Sequence, residues 1–381
     1  MQETLKVLMI STDRNLLSKD SAVSKRMIEY GDLVGELHIV LLSDRSHNLK
    51  ESQLGKNVWV YPTNSLWKYF RPRTAARLGK KIVLEKKFVR GLSLITTQDP
   101  FECGWAGMQV KKKWRIPLEI QLHTDPFSPY FGGYLNKVRG VMAKKTLKFA
   151  DTVRVVGESV VKKIAMLTSA EIYVLPIYID KDRILDAQIK FDLHARFGWR
   201  FVILAVARLN EEKNLSFALH ILALIRQKFK DAGLVILGNG PEKESLIELA
   251  KNLGIEKYVA FEGWQEDLAS YYKTANIFLQ TSLFEGYGVA LVEAGLSGLP
   301  VVTSPVGVAQ ELEHNKDAYI YPLDRPDLFA EGILDLLEHN QKRENLKINL
   351  KNKLDSILLS KEEYLTKLRE AWFKTSKKVS L

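Results

Sequence analysis

Short apolar runs alternate along this chain with longer stretches whose apolar positions recur at helical spacing. A first series of runs comprises Val7–Ile10, Leu37–Leu42, Asn57–Tyr61, Leu92–Thr97, Leu118–Leu122, Thr152–Val156 and Ile172–Leu175. A second comprises Phe201–Ala207, Leu234–Leu237, Val259–Phe261, Ile277–Gln280, Val301–Thr303 and Tyr319–Tyr321. Between such runs lie amphipathic segments; Leu215, Ala218, Leu219, Leu222 and Ile225 form one clear helical stripe. Strands alternating with helices predict α/β units around parallel sheets, arranged as two doubly wound, Rossmann-like domains. Pro176 and the mixed, charged stretch 180–199 read as a linker, which divides the chain into 1–179 and 200–358. The pattern then predicts helices over 326–338 and 340–357 and an amphipathic segment, 361–374, carrying Tyr364, Leu365, Leu368, Trp372 and Phe373. The tail 359–381 is expected to pack back on the first domain. Two open parallel sheets are expected to gather the carboxyl ends of their strands around a shared cleft, where ligands bind in such folds.

Composition narrows the setting. With 381 residues, 46% of them hydrophobic, the chain has material for two cores. Its apolar runs fall well short of the ~20 residues a membrane-spanning helix needs. The start, Met1 to Lys6, runs into a strand without a basic stretch and apolar signal core, so a cytoplasmic location is expected. Cys103 is the sole cysteine, which excludes an internal disulfide and a cysteine-rich metal site; it is expected to pack in the core.

Charge is uneven. Residues 1–180 hold 29 Lys and Arg against 17 Asp and Glu, whereas 181–381 hold 27 against 28. Within the first half, Lys68 to Arg90 contains nine basic residues and one acid, Glu85, beside Trp67, Tyr69, Phe70 and Phe88. Basic heads next to aromatic anchors suit an anionic bilayer surface, where each nearby cation contributes roughly 1 kcal/mol. A solvated helix face explains the same residues equally well, because sequence does not show which side chains share a face.

The stretch from Ile277 to Ala294 is the richest in chemistry. A strand ends near Gln280, a loop carries Glu285, Gly286 and Gly288 flank Tyr287, and a helix follows. Free N–H groups and the positive end of that helix suit a phosphate or sugar oxygen, and the glycines let a ligand approach the backbone. Glu293 falls inside the apolar run Val289–Ala294, where a carboxylate without a partner is costly. The plain alternatives are an ion pair for Glu293 and favourable charge at a helix start for Glu285.

Taken as a pair, Glu285 and Glu293 form Glu-x7-Glu across a strand, loop and helix, which resembles the signature of retaining glycosyltransferases of family four, enzymes of GT-B fold. The resemblance implies that Glu285 holds hydroxyls of a donor sugar beside the reacting carbon and that Glu293 binds the nucleotide ribose. It extends to Arg208 and Lys213, an Arg-x4-Lys pair that in the family grips the donor diphosphate; two cations there would stabilise charge on a leaving nucleoside diphosphate. Gly238 and Gly240 resemble the family's glycine-rich turn after the second strand of the donor domain, although a tight strand-to-helix connection accounts for them as well. The loop through Val306 and Gly307 resembles the segment after the second glutamate.

In the first domain His123 stands at a strand end where family members often carry a histidine that approaches the donor sugar. Asp99 and Asp125 are strand-end candidates on the acceptor side, and Glu158 resembles a family Ser-Glu step with Gly157 in place of the serine. Many relatives have paired glycines after the first strand; this chain has Ser11-Thr12-Asp13-Arg14-Asn15. With no Asp-x-Asp after a strand and no metal-ligand spacing, no metal or other cofactor is expected beyond a GDP- or UDP-linked sugar as co-substrate.

The implied activity is hexose transfer, with mannose favoured by analogy, to a saccharide or lipid-linked acceptor in cell-envelope polysaccharide or glycolipid synthesis. It would take place in the cytoplasm or on the inner face of the membrane. Nucleic acid is not an expected partner. Two other readings are a sugar-nucleotide epimerase or phosphorylase on the same architecture, and a basic membrane- or nucleic-acid-binding protein with an idle site. The Glu-x7-Glu and Arg-x4-Lys set argues against the epimerase, and Glu285, Arg208 and Lys213 argue against an idle site.

Overall fold

The computed structural model describes residues 4–18, 21–127 and 134–378. The chain divides into two compact units, one of residues 1–176 with 360–381 and one of residues 177–359. The segment 180–199 is therefore not a free linker. It forms two short helices, Lys181–Asp186 and Leu193–Phe197, that belong to the second unit, with buried Leu193 as their anchor.

The first unit is an eight-stranded sheet: β1 (Lys6–Ser11), β2 (Glu36–Leu41), β3 (Ser52–Gly55), β4 (Val58–Pro62), β5 (Ser93–Thr97), β6 (Leu118–Leu122), β7 (Thr152–Val155) and β8 (Glu171–Val174). Their order is β3-β4-β2-β1-β5-β6-β7-β8, and only the β3–β4 pair is antiparallel. The central strands are buried on both faces, β1 and β2 chiefly with apolar side chains, β5 and β6 with Thr96, Thr97, Glu119 and Gln121 interspersed. β3 has a single apolar residue, Leu54, and lies at the sheet edge, so no apolar run announces it.

The second unit is six parallel strands: β9 (Phe201–Val206), β10 (Ala232–Leu237), β11 (Val259–Gly263), β12 (Ile277–Gln280), β13 (Val301–Thr303) and β14 (Tyr319–Ile320). The order β11-β10-β9-β12-β13-β14 is the 3-2-1-4-5-6 winding of a dinucleotide-binding sheet. The helix Leu215–Lys228 buries Leu215, Ala218, Leu219, Leu222 and Ile225 against β9 and β10. Helices Pro326–Glu338 and Asn340–Ile357 complete the unit.

The last helix, Lys361–Ser376, belongs to the first unit. A capping box between Ser360 and Glu363 starts it. Tyr364, Leu368 and Trp372, spaced every four residues, form its buried face. Its seat is polar as well as apolar. Trp372 Nε1 donates to Glu119 Oε1 at 3.1 Å, and Arg154 donates to the Tyr364 hydroxyl at 2.7 Å. The Tyr364 and Tyr30 hydroxyls lie 2.6 Å apart. Residues 379–381 lie outside the described residues.

Candidate functional site

In the second unit the winding reverses between β9 and β12, which are neighbours in the sheet. Loops leaving the carboxyl ends of two such strands diverge, and open α/β sheets take their ligands at that point. These are the two loops that carry the charged residues found in the sequence. β9 leads through Arg208 into a 3₁₀ turn, Glu211–Lys213; β12 leads through Glu285 into the helix Val289–Leu296. The loops are stitched together: the Leu283 amide donates to the Glu212 carbonyl at 2.9 Å, and Thr281 Oγ1 donates to the Asn214 carbonyl at 3.0 Å.

The side chains converge on one cluster. Lys213 Nζ lies 2.9 Å from Glu285 Oε2 and 3.8 Å from Glu212 Oε1, and Arg208 donates to Glu212 Oε1 at 3.0 Å. Ser282 Oγ donates to Glu285 Oε1 at 2.7 Å, and the Ser282 carbonyl accepts from Ser304 Oγ at 2.6 Å. Both Glu285 oxygens are therefore engaged. The Lys213 and Glu285 side chains are only 12% and 15% exposed, whereas Arg208 is 72% exposed. The result is a shielded ion pair beside a solvent-facing cation, joined through Glu212. Glu212 escaped the sequence reading, although its place four residues after Arg208 and next to Lys213 was a usable signal.

The glycines shape the cluster rather than open space beside it. A Cβ on Gly238 would fall 2.0 Å from the Ala207 carbonyl oxygen, and one on Gly240 would fall 2.2 Å from that of Leu209. The turn after β10 thus presses on the backbone either side of Arg208, and the Leu209 amide donates to the Asn239 carbonyl at 3.0 Å. These distances give the tight strand-to-helix connection a structural basis at both glycines. Gly288 begins the helix at φ 94°, a left-handed value that suits glycine. The loop after β13 presses in at Gly307, where a Cβ would sit 2.5 Å from the Tyr287 carbonyl oxygen and 2.8 Å from Glu285 Cβ. The Val306 amide is taken by the Ser304 carbonyl at 2.9 Å, and the Tyr287 carbonyl by the Val308 amide at 2.6 Å. The Tyr287 ring is buried, and its phenol is pushed up to about 12, chiefly by that burial. It packs. Gly286 continues the loop and is partly buried.

Glu293 lies within the helix Val289–Leu296, half-buried. Its Oε2 accepts from the buried Tyr272 hydroxyl at 3.1 Å, and among the described residues no lysine or arginine forms an ion pair with it. The ion-pair alternative is thereby removed. Burial raises its pKa, and the Tyr272 hydrogen bond and the charge of Arg183 only partly oppose the rise. A carboxylate kept without a counter-ion has acceptor capacity for hydroxyls. Because its folded pKa exceeds that of a free carboxyl, protonated Glu293 favours folding below the free-carboxyl pKa, and that contribution is lost as pH rises through the folded value. Glu293→Gln should accordingly melt higher than wild type at neutral pH, with the gap closing in acid. It should also bind nucleoside diphosphate roughly tenfold more weakly, because a charged acceptor is gone. Melting curves across pH and a nucleotide titration check both, and wild-type affinity would remove Glu293 from the site.

The remaining candidates lie in the first unit. His123 follows β6 and is accessible to solvent yet crowded by protein. Poor solvation of its imidazolium, then the charges of Arg154 and Arg26, push its pKa down to about 4, so it is neutral at physiological pH. Asp99 Oδ1 accepts from the amides of Phe101 (2.7 Å) and Cys103 (3.2 Å) at the start of the helix Glu102–Trp114. Burial raises its pKa. Asp125 is buried, pairing with Lys163 at 2.8 Å and accepting from the Phe127 amide at 2.8 Å. Both aspartates are committed to the fold, which weakens the acceptor-side expectation. Glu158 opens the helix Glu158–Ile164. After β1, Asp13 accepts from the Asn15 amide at 3.0 Å and caps the 3₁₀ turn Arg14–Leu17. Cys103 packs, fully buried.

Residues 188–353 match the family model described as glycosyl transferases group 1. An uncharacterized glycosyltransferase of Haemophilus influenzae is 33% identical over 173 residues, 45% of this chain and 47% of that protein. A GDP-mannose-dependent alpha-(1-6)-phosphatidylinositol monomannoside mannosyltransferase of Mycobacterium tuberculosis is 29% identical over 182 residues, 44% of this chain and 47% of that one. The chain thus spans about half the length of these curated relatives. Among solved structures, sucrose-phosphate synthase from Thermosynechococcus elongatus matches with a TM-score of 0.80 at 15% identity, over 97% of this chain and 98% of that one. The fold is GT-B.

Proposed function

We propose, since residues 188–353 belong to the group 1 glycosyl transferases, that this chain transfers a hexose from a nucleotide sugar to a saccharide or lipid-linked acceptor, with retention at the anomeric carbon and without a metal ion. The observation that carries the reading is the shielded Lys213–Glu285 pair at the β9/β12 reversal, extended to Arg208 through Glu212.

Without ligand, each cation is balanced by a carboxylate. A diphosphate arriving at the reversal competes for Lys213 and Arg208 and offers both a stronger partner. Glu285, still held by Ser282, is then free to accept from hydroxyls of the donor sugar. As the bond from the anomeric carbon to the diphosphate oxygen breaks, positive charge spreads over the sugar ring and negative charge gathers on the leaving group. The two cations stabilise that negative charge. The acceptor hydroxyl bonds to the anomeric carbon on the face the diphosphate leaves, and its proton passes to a departing phosphate oxygen. Glu293 accepts from the ribose hydroxyls. His123, being neutral, contributes a hydrogen bond to the donor sugar rather than a charge.

Mannose and a lipid-linked acceptor are supported by the mycobacterial relative, whose name specifies GDP-mannose and a phosphatidylinositol mannoside. Cell-envelope polysaccharide or glycolipid synthesis on the cytoplasmic face of a membrane completes the reading. No helix among the described residues is long and apolar enough to cross a membrane. Donor hydrolysis and transfer measured over a panel of GDP- and UDP-linked sugars test it. One donor should turn over, and Glu285→Gln and Arg208→Ala should each lower that turnover by about 10²-fold or more. Undiminished turnover in both variants would dismantle the site assignment.

A further inference from the structure

The basic stretch between Lys68 and Arg90 resolves into three parts with different fates. Some cations are already used or turned inward. Arg71 is paired with Asp44, and Lys86 lies over the Trp59 ring at 5.7 Å. Phe88, an expected surface anchor, packs against the core and lies 5.8 Å from the His38 ring. A second set forms a stripe on the helix Arg71–Glu85. Arg73, Arg77, Lys81 and Leu84 are exposed at helical spacing, while Ala75, Ala76, Gly79, Ile82 and Val83 are buried on the other side. Lys81 reaches Glu85 only at 3.7 Å, and among the described residues Lys68, Arg73 and Arg77 have no carboxylate within ion-pair distance.

The third part is a short apolar tip just ahead of that stripe. Leu66, Trp67, Tyr69 and Phe70 are 69%, 66%, 67% and 47% exposed, with Lys68 among them 5.1 Å above the Tyr69 ring. Soluble surfaces carry large apolar side chains singly, not four in five consecutive residues. Nor is the tip a loose end. Before it, buried Ser65 donates its amide to the Ser43 carbonyl and accepts at its own carbonyl from the Arg45 amide, both at 2.9 Å. Within it, the Phe70 amide donates to the Trp67 carbonyl at 2.9 Å, closing a 3₁₀ turn over Lys68–Phe70. After it, Arg71 Nε donates to Asp44 Oδ1 at 2.6 Å. Both ends are thus pinned to the Ser43–Arg45 corner, and the aromatic side chains between them stand exposed.

We propose that residues 66–70 are an insertion tip and Arg73, Arg77 and Lys81 a headgroup-binding stripe, which together dock the first unit on an anionic lipid bilayer. The pairing of the two features supports a bilayer over a nucleic acid. An apolar and amphipathic tip beside a mostly unpaired cationic stripe matches an acyl boundary beneath anionic headgroups. Leu66 has no role on a base-stacking platform. The proposal rests on the reading above only in placing the enzyme at a membrane.

The test is sedimentation of the full chain with vesicles of phosphatidylcholine alone or mixed with phosphatidylglycerol, with donor turnover assayed in the same preparations. Wild type should pellet with the mixed vesicles, and less so as salt rises. Arg73→Gln/Arg77→Gln/Lys81→Gln should lose roughly 100-fold in partitioning. Trp67→Ser/Tyr69→Ser/Phe70→Ser should lose about tenfold or more while staying salt-sensitive. Quenching of wild-type tryptophan emission by brominated lipid should vanish in that second variant. Both variants should keep wild-type donor turnover and melting temperature. Wild type left in the supernatant, both variants pelleting like wild type, or release of bound protein by single-stranded RNA would overturn the docking proposal. If turnover is absent while docking is intact, the transferase reading fails instead.

Discussion

Lys213→Ala should lower kcat/KM for donor turnover by about 10³-fold, the loss expected when a preorganised charge facing the leaving group is removed from a shielded site. The variant should also be less stable. Lys213 and Glu285 are mostly buried, and deleting one member of such a pair costs about 3–5 kcal/mol because the other charge is stranded. The two losses are separable. In Lys213→Ala/Glu285→Gln no charge is stranded, and the amide still accepts from Ser282, so much of the stability should return while turnover stays lost. Denaturant unfolding and steady-state kinetics on the two single variants and the double variant form the cycle that decides this. If turnover recovered along with stability, the role of Lys213 would be to balance Glu285 and not to hold a diphosphate.

How much of this site could be read beforehand follows from the kind of interaction involved. Strands buried on both faces favour apolar runs, so β1, β9, β12 and β13 are visible as such, whereas β5 and β6 bury Thr96, Thr97, Glu119 and Gln121 among their apolar residues. Helices announced themselves by period. Pro326–Glu338 and Asn340–Ile357 fall where the pattern placed them. Glu285, Glu293, Arg208 and Lys213 stand out only as a set, through the resemblance of Glu-x7-Glu and Arg-x4-Lys to the family's motifs; singly, an ion pair, a helix-start charge or a surface position explains each. Their partners did not stand out. Ser282 and Tyr272 are ordinary residues whose contribution is a hydrogen bond made in the folded state, while Glu212 is marked only by its place beside Arg208 and Lys213, both of which it contacts. Gly238 and Gly240 are ambiguous in sequence for a related reason. A glycine demanded by a ligand and one demanded by a neighbouring carbonyl look alike in sequence, and only the distances to Ala207 and Leu209 separate them. In the basic stretch, sequence supplied the charges, but which of them shared a face depended on where the helix Arg71–Glu85 buries its alanines.

The C-terminal helix carries the other large effect. Trp372→Ala should destabilise the first unit by about 3–5 kcal/mol, as truncating a fully buried tryptophan does. The indole also packs edge-on against Tyr30 at 5.8 Å and supplies a donor to Glu119. Glu119 is fully buried, and its carboxylate is satisfied by Thr96, Tyr173 and Trp372. Trp372→Phe keeps most of the packing but withdraws that donor, so it should cost about 1–3 kcal/mol. These residues follow the whole second unit in the chain, so the first unit is assembled from two separate segments. The second unit, by contrast, is one continuous segment, 177–359. Unfolding of the full chain followed by denaturant, with nucleoside diphosphate titrated in parallel, checks the consequence. The tryptophan variants should lose stability in the first unit while the proposed nucleotide site, whose Lys213, Glu285 and Glu293 all belong to the second, should keep its affinity. A nucleotide affinity that fell in step with stability would show that the donor site depends on the C-terminal helix.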